Sequence, residues 1–114
     1  MIQVRLSNAY DITAIAQFQI KMANETEGIE LDNDTVNKGV ESVFKDPKKG
    51  KYYVATENDV IVASMLITYE WSDWRNNWVY WLQSVYVLPE KRGLGIFKLM
   101  YDCLLYTSPS PRDS

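Results

Sequence analysis

The sequence predicts an α/β (α+β) fold in which a mixed central sheet is flanked by helices, in the order β-α-α-β-β-β-α. Three observations support this prediction. Apolar residues alternate with polar ones in several short runs, they recur at helical spacing in two longer runs, and a strand–glycine turn–helix unit lies near the C-terminus. Of the 114 residues 46% are hydrophobic, so the chain can form one small domain with its own core.

The chain is predicted to begin with a strand and a helix. Residues 2–6 alternate apolar and polar side chains, which is typical of a half-buried strand. Asn8 and Asp11 resemble a variant of the capping box, which marks the start of a helix. This helix is predicted to run to about Asn24, and its core-facing positions are Ile12, Ile15, Phe18 and Met22.

A second helix is predicted after an acidic loop, residues 25–34. Asp32 or Asp34 would cap it, because a carboxylate there can accept a bond from a backbone N–H of the first turn. Residues 46–47, Asp-Pro, would end it, since the residue before a proline disfavours the helical conformation. Its apolar face is defined by Val36, Val40, Val43 and Phe44.

Three further strands are predicted in the second half of the chain. Residues 51–57 and 60–69 are rich in β-formers and are separated by Asn58 and Asp59, which indicates a tight hairpin. Residues 78–88 are apolar on both faces, which favours a buried position in the middle of the sheet. By alternation, one face carries Trp78, Tyr80, Leu82 and Tyr86, and the other carries Val79, Trp81, Val85 and Val87.

A glycine turn between this strand and the last helix is the main candidate for a binding site. Gly93 and Gly95 permit positive φ and a close approach of the backbone to a ligand. The following helix N-terminus offers unpaired N–H groups, and Lys91 and Arg92 add charge, so a phosphate would suit this position. The alternative is that the two glycines only cap a helix.

Residues 85–96, VYVLPEKRGLGI, resemble the acetyl-CoA signature of the GCN5-related N-acetyltransferase superfamily. That signature is Arg or Gln, two residues, Gly, one residue, then Gly or Ala. Residues 92–97 match it except that Phe97 replaces the last small residue. The resemblance implies the acyl-CoA N-acyltransferase fold, of which this chain would hold about the first two-thirds, with the C-terminal part missing.

The resemblance also implies a binding mode for acetyl-CoA as co-substrate. Backbone groups of the central strand would pair with the pantetheine and with the acetyl carbonyl, and the glycine turn would hold the pyrophosphate. The implied cofactor-binding residues are Val85, Tyr86, Val87, Arg92, Gly93, Leu94, Gly95, Ile96 and Phe97. The strand residues among them can equally be core residues, because the implied contacts use the backbone.

The resemblance does not supply a catalytic base at its usual position. Many members of the superfamily use a glutamate on the central strand, whereas Trp81 stands at about that place here. Glu70 is the preferred replacement and Asp73 the second, either one acting through a water. The alternative for both is a solvated strand end or loop. Neither Tyr86 nor Tyr101 matches the position of the family's usual acid.

The acceptor is predicted to be a cationic amine. Trp71, Trp74 and Tyr80 would form an aromatic wall of the acceptor pocket, although they could instead belong to the core and a covered sheet edge. The resemblance also implies that acidic residues of the loop between the first two helices lie near the acceptor site, although they could simply be solvated. They are Glu25, Glu27, Glu30 and Asp32.

Composition excludes several other classes of function. A net charge of −3 without a basic block argues against a nucleic-acid partner, and no run approaches the length of a membrane span. A single cysteine gives no disulfide framework, no metal site is expected, and the absence of a signal-like leader favours a cytoplasmic protein. Self-association into a homodimer is left open.

The last residues break from the pattern of the rest. Residues 103–113, CLLYTSPSPRD, resemble one reading frame of a sequencing adapter, so residues 1–102 are predicted to be a partial N-acetyltransferase domain and 103–114 a non-native tail. The alternative is a short Ser/Pro-rich disordered tail. The sequence thus predicts an enzyme that transfers an acetyl group from acetyl-CoA to a primary amine of a small molecule or peptide, with the fragment itself inactive. A non-catalytic acyl-CoA-binding module and a plain α/β domain without ligand are the alternatives.

Overall fold

The computed structural model describes residues 1–107, and the predicted order β-α-α-β-β-β-α is confirmed. Short 3-10 turns precede α1, β2 and α3. The elements are β1 (Ile2–Leu6), α1 (Ile12–Glu27), α2 (Asn33–Lys45), β2 (Lys51–Glu57), β3 (Val60–Ser72), β4 (Asn77–Val87) and α3 (Ile96–Thr107). The structure does not test the prediction that residues 103–114 are a non-native tail. Residues 103–107 belong to α3, and residues 108–114 lie outside those described.

The four strands form one sheet in the order β1-β2-β3-β4, with every neighbouring pair antiparallel. Within residues 1–107, β4 therefore lies at an edge of the sheet and not in its middle, where it was predicted. Trp78 and Trp81 on this strand are each 49% exposed. The apolar composition on both faces of β4 reflects aromatic residues that remain half-exposed, so it did not indicate full burial.

Helices cover both faces of the sheet. On one face α3 packs against the strands, and its inward side chains Ile96, Met100 and Leu104 are at most 3% exposed. On the other face, α1 and α2 pack against β2 and β3 around Ile15 and Val54. Within the described part of the chain, no helix is both long and apolar enough to cross a membrane.

Three predicted turns and caps are confirmed. Asn58 and Asp59 have φ of 52° and 65° and form the tight turn between β2 and β3. Asp32 caps α2 by accepting a bond from the Thr35 N–H at 2.9 Å. Asn8 and Asp11 form the predicted capping box, in the 3-10 turn that leads into α1.

Two predictions about α1 and the loop after it were wrong. The helix continues past Asn24 to Glu27, so Glu25 and Glu27 are helical and do not belong to a loop. The helix ends at Gly28, which adopts a left-handed conformation with φ 65° and donates its N–H to the Asn24 carbonyl at 3.0 Å. The acidic composition suggested a loop, but the glycine is the actual stop signal.

A β-bulge in β4 overturns part of the predicted division of its faces. Ser64 pairs with Tyr86 and Leu66 with Gln83, so two residues of β4, Ser84 and Val85, lie opposite one residue of β3. The extra residue shifts the alternation by one position. As a result Val85 and Val87 pack on the α3 side with Tyr80 and Leu82, whereas Tyr86 turns to the α1 side and contacts Phe18.

Candidate functional site

The glycine turn between β4 and α3 has the backbone conformation that its sequence predicts. Gly93 and Gly95 have φ of 82° and 79°, in the left-handed region that favours glycine. A Cβ atom at either position would meet no other atom within 4 Å. The backbone conformation, and not a lack of space, therefore accounts for glycine at both places.

The turn presents a row of free backbone donors. No acceptor within residues 1–107 receives the N–H groups of residues 93–98, which run from the turn into the first turn of α3. The helix dipole adds partial positive charge at the same point. An open depression of about 210 Å³ lies here, lined by Val87, Lys91, Arg92, Gly93, Gly95, Ile96 and Phe97. The structure thus brings together seven residues of this region in a setting that can bind an anion.

The two basic side chains beside the turn are both engaged within the protein. Lys91 forms an ion pair with Glu57 at the end of β2. The Arg92 guanidinium donates to the Glu25 carboxylate at 2.8 Å and, through Nε, to the Val87 carbonyl at 2.8 Å. Their charges lie beside the depression, and each side chain already has at least one partner within the protein.

Glu25, in the last turn of α1, connects this turn to Tyr86. One of its oxygens accepts from the Tyr86 hydroxyl at 2.6 Å and the other from Arg92. Burial, followed by the bond to Glu25, raises the pKa of Tyr86 to about 12. The bonds from Tyr86 and Arg92 lower the pKa of Glu25, which is therefore an anion at neutral pH.

Sequence reasoning missed this role of Glu25. The acidic run was singled out only as a loop near the acceptor. Glu25 and Arg92 are 67 positions apart, and no spacing rule connects residues so distant. The one available signal was the pairing of a lone arginine in the turn with some acidic partner, and the sequence offers 15 acidic residues to choose from.

The structure places Glu70 away from the glycine turn. Its carboxylate accepts a bond from the Trp81 indole N–H at 2.8 Å, on the same sheet face as Tyr86. Trp81 precedes Val85 by four residues, about 13 Å along a strand. The role of Glu70 as catalytic base therefore stays a prediction, and so does that of Asp73, which lies in the turn after β3.

Tyr80, one member of the predicted aromatic wall, lies on the opposite face of the sheet from Tyr86. Tyr80 packs edge-to-face on Tyr69 with ring centroids 5.3 Å apart, and both face the α3 side of the sheet. Trp71 pairs with Trp78 in the same manner at 5.3 Å. Trp74 is 96% exposed at the tip of the β3–β4 hairpin. A depression of about 380 Å³ on this face is lined by Lys48, Tyr69, Trp78 and Tyr80.

A separate depression of about 380 Å³ lies where α1 ends and the chain turns towards α2. Two carboxylates, Glu25 and Glu30, line it, together with Ile20, Lys21, Asn24, Ile29 and Leu31. Asp32, also predicted near the acceptor, is used as the cap of α2. In residues 1–107, no group of three or more His, Cys, Asp or Glu side chains is placed to bind a metal ion.

Comparisons of the sequence and of the structure with known proteins both point to one family. The model of the acetyltransferase (GNAT) family matches residues 12–107. A solved structure described as a possible acetyltransferase, from Clostridium difficile 630, is 45% identical in sequence with a TM-score of 0.85. That match covers 93% of this chain and 70% of the other.

More distant structures share the fold. A predicted acetyltransferase with acetyl-CoA from Clostridium acetobutylicum is 22% identical with a TM-score of 0.73, over 93% of this chain and 72% of that one. An integron cassette protein from the mobile metagenome of Cole Harbour Salt Marsh is 18% identical with a TM-score of 0.85, over 91% and 68%. A search of curated protein sequences finds no match.

Proposed function

Because the chain belongs to the GNAT family of acetyltransferases, we propose that the full-length protein transfers an acetyl group from acetyl-CoA to a primary amine of a small molecule or peptide. The observation that carries the proposal is the row of unpaired N–H groups at residues 93–98, beside the end of β4. Such a row at a helix N-terminus matches the chemistry of a pyrophosphate.

The donor would be held by the backbone. The N–H groups of residues 93–97 would bind the pyrophosphate. The edge of β4 that has no neighbouring strand within residues 1–107 would pair, at Val85 and Tyr86, with the pantetheine and the acetyl carbonyl. The Val87 carbonyl already accepts a bond from Arg92, so it is the least suited of the three strand residues to bind the donor. A solved relative with the same fold is described as containing acetyl-CoA, which supports this assignment.

The acceptor would approach on the α1 side of β4, where the exposed carboxylate is that of Glu70. Because the Glu70 carboxylate is bonded to Trp81, four residues before Val85 along β4, we infer that Glu70 holds a second cationic group of the acceptor and does not take the proton of the reacting amine. Amines with two cationic groups, such as diamines or a basic peptide, are therefore the preferred class. Attack by the neutral amine on the thioester carbonyl forms the amide and releases the CoA thiol.

A thermal melt with and without acetyl-CoA tests donor binding. A ligand at about a hundred times its Kd stabilises a protein by roughly 2.7 kcal/mol, which should clearly raise the melting temperature. Gly95→Trp should abolish this rise, because a residue with a Cβ would be strained at the backbone φ of 79° that the turn requires. Gly39→Trp, at an exposed position of α2, is the matched control and should retain the rise.

Turnover then separates an enzyme from a module that only binds acyl-CoA. Release of free thiol from acetyl-CoA, measured with a panel of monoamines and diamines, should depend on the amine. Glu70→Gln should raise KM for diamines more than for monoamines while kcat stays similar. Donor binding without turnover for any amine would favour the binding module, and no binding at all would leave a plain α/β domain.

A further inference from the structure

Arg92 is held on three sides by the protein itself. Its guanidinium donates to the Val87 carbonyl and to Glu25, each at 2.8 Å, and lies over the Tyr86 ring at 5.3 Å from the ring centroid. The bond to Val87 closes the loop between the end of β4 and the glycine turn. The bond to Glu25 connects the same loop to the C-terminal turn of α1.

Each oxygen of the Glu25 carboxylate in turn accepts one short bond, at 2.6 Å from Tyr86 and at 2.8 Å from Arg92. Tyr86 is itself only 3% exposed and packs against Phe18 of α1 at 5.2 Å between ring centroids. The carboxylate therefore connects α1, the bulged part of β4 and the glycine turn in one cluster of side chains.

We propose that Glu25 is a positioning residue for the donor, which acts through Arg92. In this arrangement the Arg92 side chain is a strut and not a ligand of the phosphate. It fixes the backbone immediately before Gly93, so that the segment with the free N–H groups of residues 93–98 keeps its conformation. This inference rests on the proposed function, because it concerns how the same turn binds the pyrophosphate.

The opposite role for Arg92 predicts an effect of opposite sign. If the guanidinium bound the phosphate directly, Glu25 would compete with the phosphate for it, and neutralising Glu25 would tighten binding. If Arg92 is a strut, neutralising Glu25 loosens the turn and weakens binding. The direction of the change in Kd therefore distinguishes the two roles without any structure of the complex.

The experiment compares two ligands in the full-length protein. CoA carries the pyrophosphate, whereas acetyl-pantetheine lacks it and would contact only β4. Glu25→Gln should raise the Kd of CoA about tenfold and leave that of acetyl-pantetheine within about twofold. Glu27→Gln removes the same charge from the same turn of α1 at an exposed position, and should leave both unchanged.

A second pair of variants protects the test against misfolding. Arg92→Lys keeps the charge but cannot make the bonds to both Val87 and Glu25, so it should raise the Kd of CoA to a similar extent. Glu25→Gln added to Arg92→Lys should then have little further effect, because both act through one contact. Unchanged or tighter CoA binding by Glu25→Gln would overturn the inference, as would a parallel loss for acetyl-pantetheine. If the wild-type protein does not bind CoA, the proposed function fails first.

Discussion

Replacing Asp11 with asparagine should destabilise the protein strongly at neutral pH and only slightly in acid. Asp11 is 3% exposed at the junction of β1 and α1. Its carboxylate accepts two bonds from Arg5, at 2.7 and 2.9 Å, and one from the Asn8 N–H at 2.8 Å. An asparagine can keep the bond from Asn8 but loses the charge that attracts Arg5.

The size of the effect follows from this geometry. A hydrogen bond to a charged group contributes about 1.5–3 kcal/mol. The Arg5 side chain is 41% exposed, so solvent screens part of the ion pair. We expect the free energy of unfolding to fall by about 2 kcal/mol at pH 7, which is the lower part of that range.

The pH dependence of stability is a second test of the expected loss in Asp11→Asn. The bond from Arg5, with a smaller contribution from Asn8, lowers the pKa of Asp11 below its ordinary value of 3.8, although burial opposes the shift. A carboxyl group whose pKa is lower in the folded state contributes stability above its ordinary pKa and loses it as the pH falls through the folded value. The difference between wild type and Asp11→Asn should therefore begin to shrink as the pH falls to about 3.8 and should go on shrinking below that pH.

Urea unfolding at pH 7, 5, 4 and 3 measures this difference directly. Asp34→Asn, at an exposed position in the first turn of α2, is the control for the loss of one negative charge. A loss of stability that is equal at every pH would refute the electrostatic argument and assign the effect to packing. No loss at pH 7 would show that the ion pair only offsets its own desolvation.

Three further predictions concern the core, a tight turn and a tyrosine. Met100→Ala should lower the free energy of unfolding by about 3 kcal/mol in urea, because Met100 is 0% exposed on the inward face of α3 and its truncation would leave a cavity in the core. Gly50→Ala should cost at least about 3 kcal/mol in the same assay, since its φ is 132° and a Cβ would collide with the Ile67 carbonyl; a loss under 1 kcal/mol would contradict the described turn. In an ultraviolet absorbance titration, one tyrosine, Tyr86, should ionise only near pH 12, and Glu25→Gln should bring it back towards its ordinary value.

Local signals in the sequence were enough for most of the fold. The capping box at Asn8, the cap at Asp32 and the turn at residues 58–59 each depend on side chains within three positions of one another. The glycines at positions 93 and 95 likewise predict their own backbone conformation. The family resemblance added the prediction that acetyl-CoA is the acetyl donor, because the same short segment carries the signature.

What the sequence could not supply depends on long-range contacts. The bulge at Ser84 arises from how β4 pairs with β3, and nothing in the apolar pattern marks the extra residue. The partnership of Glu25, Tyr86 and Arg92 needs three elements to be assembled before it can be seen. The separation of Glu70 from Val85 likewise depends on strand register.

The bulge in β4 also makes this strand sensitive to parity. Upstream of Ser84 the inward side chains on the α3 face have even numbers, such as Tyr80 and Leu82, and downstream they have odd numbers, Val85 and Val87. Deleting Ser84 alone would restore an unbroken alternation and would leave Tyr86 on the α1 face and Val85 and Val87 on the α3 face. Deleting Ser84 together with one neighbouring residue would instead invert one part of the strand relative to the other. The strand can therefore lose one residue here without changing its faces, but not two.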